Sequence, residues 1–328
     1  MDGLKSFLKR NPLIVAMITG VCIYLVYHWI PALHPAGTTL EKAVLTIQPI
    51  LIFTMLFLQF SRTSPHDLKF RRWHLYLLLI QTGVCLASAA ALFFVKGDVA
   101  RVLLEAFMLC WICPTAIAAG VVTEKIGGSI SGVMSYIILI NLLVSILIPL
   151  VFPLVHPNPG QSFLNSFLTL LGKVFPTLIL PADAAWIIRY TMPKAQRFFM
   201  RNYGKAFQVW LVSLCLAIII TTRSIVRSEL PWWSLLLISI VPAVSCLCQF
   251  AIGHRIGNRF GKVENITAGQ ALGQKNTTLM IWIGYVFLNP LTSIDQVMAD
   301  AVNAAGNGSE GVEEHVTYPY HQGGVFLT

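Results

Sequence analysis

Two segments place groups capable of chemistry where their neighbours are almost uniformly apolar. One is Ala268-Gly269-Gln270-Ala271-Leu272-Gly273-Gln274-Lys275-Asn276-Thr277-Thr278, in which two glycines and six polar side chains crowd together. The other is Cys113-Pro114-Thr115-Ala116-Ile117-Ala118-Ala119-Gly120, small residues around a proline that removes a backbone donor and disfavours helix. Amides, hydroxyls and bare peptide groups in such settings suit the binding of an ion or of a polar solute. Enzymatic chemistry is the weaker reading. His28, His34, His74, His156 and His254 are scattered over span ends, and neither HExxH nor Gly-x-Ser-x-Gly occurs.

The elements that must carry these segments are membrane spans. Of 328 residues, 56% are hydrophobic and 11% charged, whereas a soluble domain carries about 25% charged residues. Nine apolar stretches can each cross a hydrocarbon core, at about 13–30, 41–60, 73–95, 101–123, 129–152, 163–188, 206–226, 231–252 and 266–291. The expectation is an all-α polytopic bundle in the lipid bilayer of an inner or plasma membrane. Lys5, Lys9 and Arg10 precede the first stretch, and no small-residue cleavage pattern follows Trp29 or Ile30, so we read an uncleaved span.

Basic residues alternate between sides. Arg62, Lys69, Arg71 and Arg72, then Lys125, then Arg189, Lys194, Arg197, Arg201 and Lys205, then Arg255, Arg259 and Lys262 fall on one side. The other side has only Lys42, Lys96, Arg101, Arg223 and Arg227. The positive-inside rule therefore puts the N-terminus in the cytoplasm. These anchors explain the net charge of +9 without a nucleic-acid partner.

Seven cysteines, Cys22, Cys85, Cys110, Cys113, Cys215, Cys246 and Cys248, read as buried structural thiols, and no metal or cofactor set is expected. Gln48, Gln59, Gln81, Asn141, Asn165, Lys173, Asp183 and Gln249 read by default as interhelical hydrogen-bonding residues.

Irregular backbone at membrane depth survives only where protein buries it or a watery cavity meets it, so both polar segments should face the bundle centre. They lie in the fourth and ninth spans, an interval of five. Two five-helix repeats inserted in opposite orientation produce that interval, and in carriers so built the interrupted helices mark the substrate and ion site. The repeats would be 1–152 and 153–291.

At these residues the sequence resembles the bile acid:sodium symporter family. Cys113-Pro114 through Gly128 is similar to that family's Cys-Pro-Gly-Gly-Thr-Ala-Ser-Asn-Val segment, and Gly273-Gln274-Lys275-Asn276 to its Gly-Met-Gln-Asn. Gln81 matches a glutamine that faces the ion site. The resemblance implies ten helices in two inverted repeats, with the fourth and ninth unwound where they cross. It implies a secondary active carrier of a small organic anion such as a sterol sulfate, a bile-acid-like amphipath or a keto acid. The substrate and ion set becomes Gln81, Thr115, Ala119, Gly120, Gln270, Gln274, Lys275, Asn276 and Thr277, with Pro114, Gly269 and Gly273 shaping the crossover.

The departures bear on coupling. Where the family keeps a Ser-Asn pair for sodium, the chain has Ala119-Gly120; where it keeps a shared glutamate, Ala271; where it keeps a glutamine, Lys275. A sodium ion would lose its carboxylate. Lys275 lies near mid-membrane, where an ionisable side chain costs roughly 2.5–3.5 kcal/mol. Its ammonium could stand in for sodium, or it could release its proton and couple carriage to protons. The structural alternative is a lysine that snorkels or pairs with Asp183 or Glu105.

Residues 292–328 are polar and acidic, with Asp295, Asp300, Glu310, Glu313 and Glu314, so no tenth span is expected. Another chain, as in a homo-oligomer, or lipid is expected to cover the gap this leaves. A second functional reading is arsenite or oxyanion efflux, with Cys113 as a soft ligand.

Overall fold

A computed structural model describes residues 12–288, except 117, 158–159, 203–204 and 228–230. Thirteen α-helices occur among the described residues: α1 Pro12–Trp29, α2 Gly37–Arg62, α3 Arg72–Leu92, α4 Asp98–Ile112, α5 Ala119–Lys125, α6 Ile130–Val155, α7 Phe163–Leu178, α8 Leu180–Thr191, α9 Pro193–Arg201, α10 Lys205–Val226, α11 Trp232–Asn258, α12 Lys262–Gly273 and α13 Thr277–Phe287. Among the described residues six helical stretches are long and apolar enough to cross a membrane: Pro31–Arg62, Arg72–Leu92, Ile130–Val155, Phe163–Thr191, Phe207–Val226 and Trp232–Asn258. The protein is an all-α, multi-pass membrane protein. The polar tail and the expected absence of a tenth span lie outside the described residues.

The fourth and ninth stretches are divided into α4 plus α5 and α12 plus α13. A third division, between α7 and α8, was not expected from the sequence. There Ile179 ends one helix and starts the next. Pro181 supplies the cause, since its nitrogen cannot donate to the preceding turn. The basic connection after the sixth stretch also contains a helix of its own, α9.

Packing sorts the helices into two groups, each drawing on both halves of the chain. In one, α10 lies on α1 and α2, while α2 also packs on α7, α8 and α9. In the other, α3, α4, α5, α6, α11 and α12 pack together. Two contacts join them: α6 of the second group packs extensively on α7 of the first, and the second broken helix spans both, with α12 in the second group while α13 packs on α2 and α10.

The end of the bundle at which α2 meets α3 is tied by several polar links. Arg71 pairs with Glu264, whose other oxygen accepts from Trp73 Nε1 at 2.6 Å. Lys69 N donates to Ser135 Oγ at 2.9 Å, and Gln196 Nε2 to Ser61 O at 3.3 Å. At the opposite end Glu41 takes Arg223 and Tyr285, and Glu105 takes Arg101 and His156.

α12 lies exceptionally close to α11. A Cβ on Gly257 would strike Glu264 O, one on Gly253 would lie 2.5 Å from Ala268 O, and those on Gly269 and Gly273 would enter the His254 and Phe250 rings. Glycines four residues apart on both helices permit backbone contact, as small residues do in membrane bundles. This changes the part given to Gly269 and Gly273. Gly269 is interior to α12, Gly273 is its last residue, and neither has positive φ. Close packing, not unwinding, requires them.

Candidate functional site

The two helix breaks meet. The chain leaves α4 at Cys113 and resumes helix at Ala119; it leaves α12 at Gln274 and resumes at Thr277. Thr115 and Lys275 form an antiparallel bridge, in which Asn276 N donates to Pro114 O at 2.8 Å and Ala116 N to Gln274 O at 3.0 Å. Peptide groups that lost their helical partners thus pair with one another, which satisfies them in a medium without water. The breaks are narrower than the expected segments 113–120 and 269–278.

Side chains complete the pairing. Cys113 O, at the C-terminal end of α4, accepts from Gln81 Nε2 at 2.9 Å and from Lys275 Nζ at 3.1 Å. A cation is favoured there because helix carbonyls present their negative ends. Tyr136 OH donates to Gln81 Oε1 at 2.9 Å, which fixes the amide so that its NH₂ faces Cys113. Thr115 Oγ1 donates to Ala271 O at 2.6 Å. Gln274 Nε2 donates to Gln270 Oε1. Asn276 caps α13, its side chain accepting from Leu279 N at 3.4 Å, while its buried Nδ2 has no hydrogen-bond partner among the described residues.

Lys275 is buried, and among the described residues no acid forms an ion pair with it. Neither expected partner serves. Glu105 Oε1 is held by Arg101 Nε at 3.0 Å and His156 Nε2 at 2.8 Å, and Asp183 is exposed. Instead the ammonium rests on the Cys113 carbonyl, and the Cys246 thiol donates to Gly273 O at 3.8 Å, two residues before Lys275. Among the described residues no three His, Cys, Asp or Glu side chains are grouped to hold a metal ion.

Ala119 and Gly120, both buried, open α5. A Cβ on Gly120 would lie 3.3 Å from Met134 Sδ and 3.4 Å from Gln59 Nε2, so neighbouring side chains already occupy that space. Thr277 is buried at the first position of α13.

The bridge therefore draws together Gln81, Pro114, Thr115, Gln274, Lys275 and Asn276, with Gln270 attached through Gln274. Tyr136, which the sequence does not single out, and Cys110 and Cys246, which it presents as structural thiols, belong to the same neighbourhood. A tyrosine within Ile130–Val155 carries no local signal, because its partner lies 55 residues away.

Among the remaining polar residues, Gln48 Nε2 donates to Ser213 O at 3.1 Å and Gln249 Nε2 to Cys110 O at 3.0 Å, both between helices. Lys173 Nζ lies 5.4 Å from the Phe287 ring centroid. Asn141, buried in α6, finds no hydrogen-bond partner among the described residues.

Compared with family models and with curated proteins, the sequence matches none.

Proposed function

We propose that this chain is a secondary active carrier of a small organic anion, similar to bile acid:sodium symporters but independent of sodium. In this reading α4–α5 and α12–α13 are the corresponding broken helices of two inverted repeats, and the N-terminus is cytoplasmic. The observation that carries it is the Thr115–Lys275 bridge with Lys275 Nζ on Cys113 O. Broken helices meeting in a bundle provide opposed helix ends whose dipoles bind charged groups without a permanent pore.

Lys275 takes the part of the coupling cation. Its ammonium rests on the carbonyl end of α4, and Gln81 shares that carbonyl. No carboxylate stands at Ala271, and the place of an asparagine at Gly120 is filled by Met134 and Gln59. An anionic headgroup would draw on the Lys275 charge and on the unpartnered Asn276 Nδ2 at the start of α13.

The test is uptake of labelled sterol sulfates, bile acids and keto acids by proteoliposomes, with sodium and proton gradients imposed separately. Uptake should persist without sodium, and Lys275→Ala should lower it by at least about tenfold, the scale of losing one charge-assisted contact. Full-strength uptake that requires sodium, or a Lys275→Ala variant with unchanged transport, would refute the reading.

A second reading is efflux of a soft oxyanion, supported by Cys113 standing at the first break beside Lys275. Cells carrying Cys113→Ala should then become arsenite-sensitive.

A further inference from the structure

We infer that α9 is a binding surface for anionic phospholipid headgroups. The helix is the link between two membrane spans, Phe163–Thr191 and Phe207–Val226, so the membrane boundary is its immediate surroundings. It is fixed to the bundle on one side only. Phe199 packs edge-on against Phe57 of α2 at 4.9 Å between centroids, and Gln196 Nε2 donates to Ser61 O.

The opposite side carries Lys194, Arg197 and Arg201, which recur at intervals of three and four and so share one face. All three are exposed, and none forms an ion pair among the described residues. From Arg189 to Lys205 the sequence holds five cations and no acid. Beside the cations stand Phe198 and Met200, 62% and 40% exposed. Cations for phosphate flanked by bare apolar groups for acyl chains describe a helix seated at a lipid interface. A soluble acidic partner would meet the charge but would leave Phe198 and Met200 unexplained.

The occupant is the headgroup of an acidic phospholipid in the leaflet at that end. Juxtamembrane cations each contribute about 1 kcal/mol toward such a surface, roughly fivefold in association per cation. The surface does not depend on what the crossover transports.

The test uses the full chain in phosphatidylcholine vesicles with trace spin-labelled phosphatidylglycerol or phosphatidylcholine, comparing the motionally restricted fraction of each. The wild type should restrict phosphatidylglycerol several-fold more strongly than phosphatidylcholine. K194Q/R197Q/R201Q should bring the two close to equality, and R197Q alone should remove part of the difference. R255Q/R259Q/K262Q, three cations at the same end outside α9, should keep most of it. Equal restriction of both lipids by the wild type overturns the proposal. So does an undiminished preference in the α9 variants, which is also the result a soluble acidic partner predicts, or an equal loss in the control variant.

Discussion

The two broken helices reach the same bridge by different means. α4–α5 is broken by Pro114 and a run of small residues; it offers its partner mainly backbone, and α5 begins without a side-chain cap. α12–α13 is broken over only Gln274–Asn276 without a proline. It offers an ammonium, an amide cap and a glycine face against α11. Each break gives and takes: Cys113 O and Pro114 O accept from Lys275 Nζ and Asn276 N, while Ala116 N and Thr115 Oγ1 donate to Gln274 O and Ala271 O. A buried break is therefore stable only as half of a pair, since each orphaned peptide group must find a partner across the gap.

The sharpest way to break this pairing is to push α12 off α11. Gly257→Ala would drive a Cβ into Glu264 O and to 2.8 Å from Asn265 Cα, backbone atoms that cannot rotate aside. We expect a loss of about 3 kcal/mol, the upper range for overpacking, seen as a lowered melting temperature by tryptophan fluorescence in detergent. An unchanged melt would mean that the α11–α12 contact does not hold the second break in place.

Gln81→Leu acts next, on the first break. It removes one of two donors to Cys113 O and leaves Tyr136 OH buried without its acceptor, a cost of about 1–3 kcal/mol. Adding Tyr136→Phe should restore part of that loss. If it restores none, the Gln81–Tyr136 hydrogen bond does not orient the amide. Asn276→Ala should cost about 1 kcal/mol, the usual value of a lost N-cap, and should be felt at α13 rather than at α4. Hydrogen exchange localised to Thr277–Met280 would register it.

These predictions follow the line between what the sequence makes legible and what it hides. The spans could be read because a run of apolar residues is a local property, and Pro114 and the Gln274–Asn276 cluster are local too. That the two breaks touch is a long-range fact: the interval of five suggests two repeats, and the crossing itself is implied only by the family resemblance. The identity of the partner of Lys275 was not legible. Charge reasoning points to Glu105 or Asp183, yet the helix end at Cys113 supplies a carbonyl that composition does not display. Gly269 and Gly273 were visible as unusual, but their cause lies in Phe250 and His254, on a different helix. The division at Ile179 was signalled by Pro181 and hidden by the hydrophobicity on either side. α9 was visible only as charge, because nine residues between two spans give too little periodicity to distinguish a helix from a loop.

The smallest effect expected separates the two breaks most cleanly. Gly120 stands at the start of α5, and its added Cβ would meet Met134 Sδ at 3.3 Å and Gln59 Nε2 at 3.4 Å. Both are ends of flexible side chains, so a few tenths of an ångström of movement accommodates a methyl group. Replacing glycine by alanine in a helix also recovers about 0.5–1 kcal/mol of backbone entropy. The two contributions oppose each other, and Gly120→Ala should leave the melting temperature nearly unchanged while Gly257→Ala lowers it strongly. A large loss at Gly120 would mean that Gln59 and Met134 are held as rigidly as backbone. The first break would then be as tightly packed as the second, and the contrast between a half packed on yielding side chains and a half packed on rigid backbone would fail.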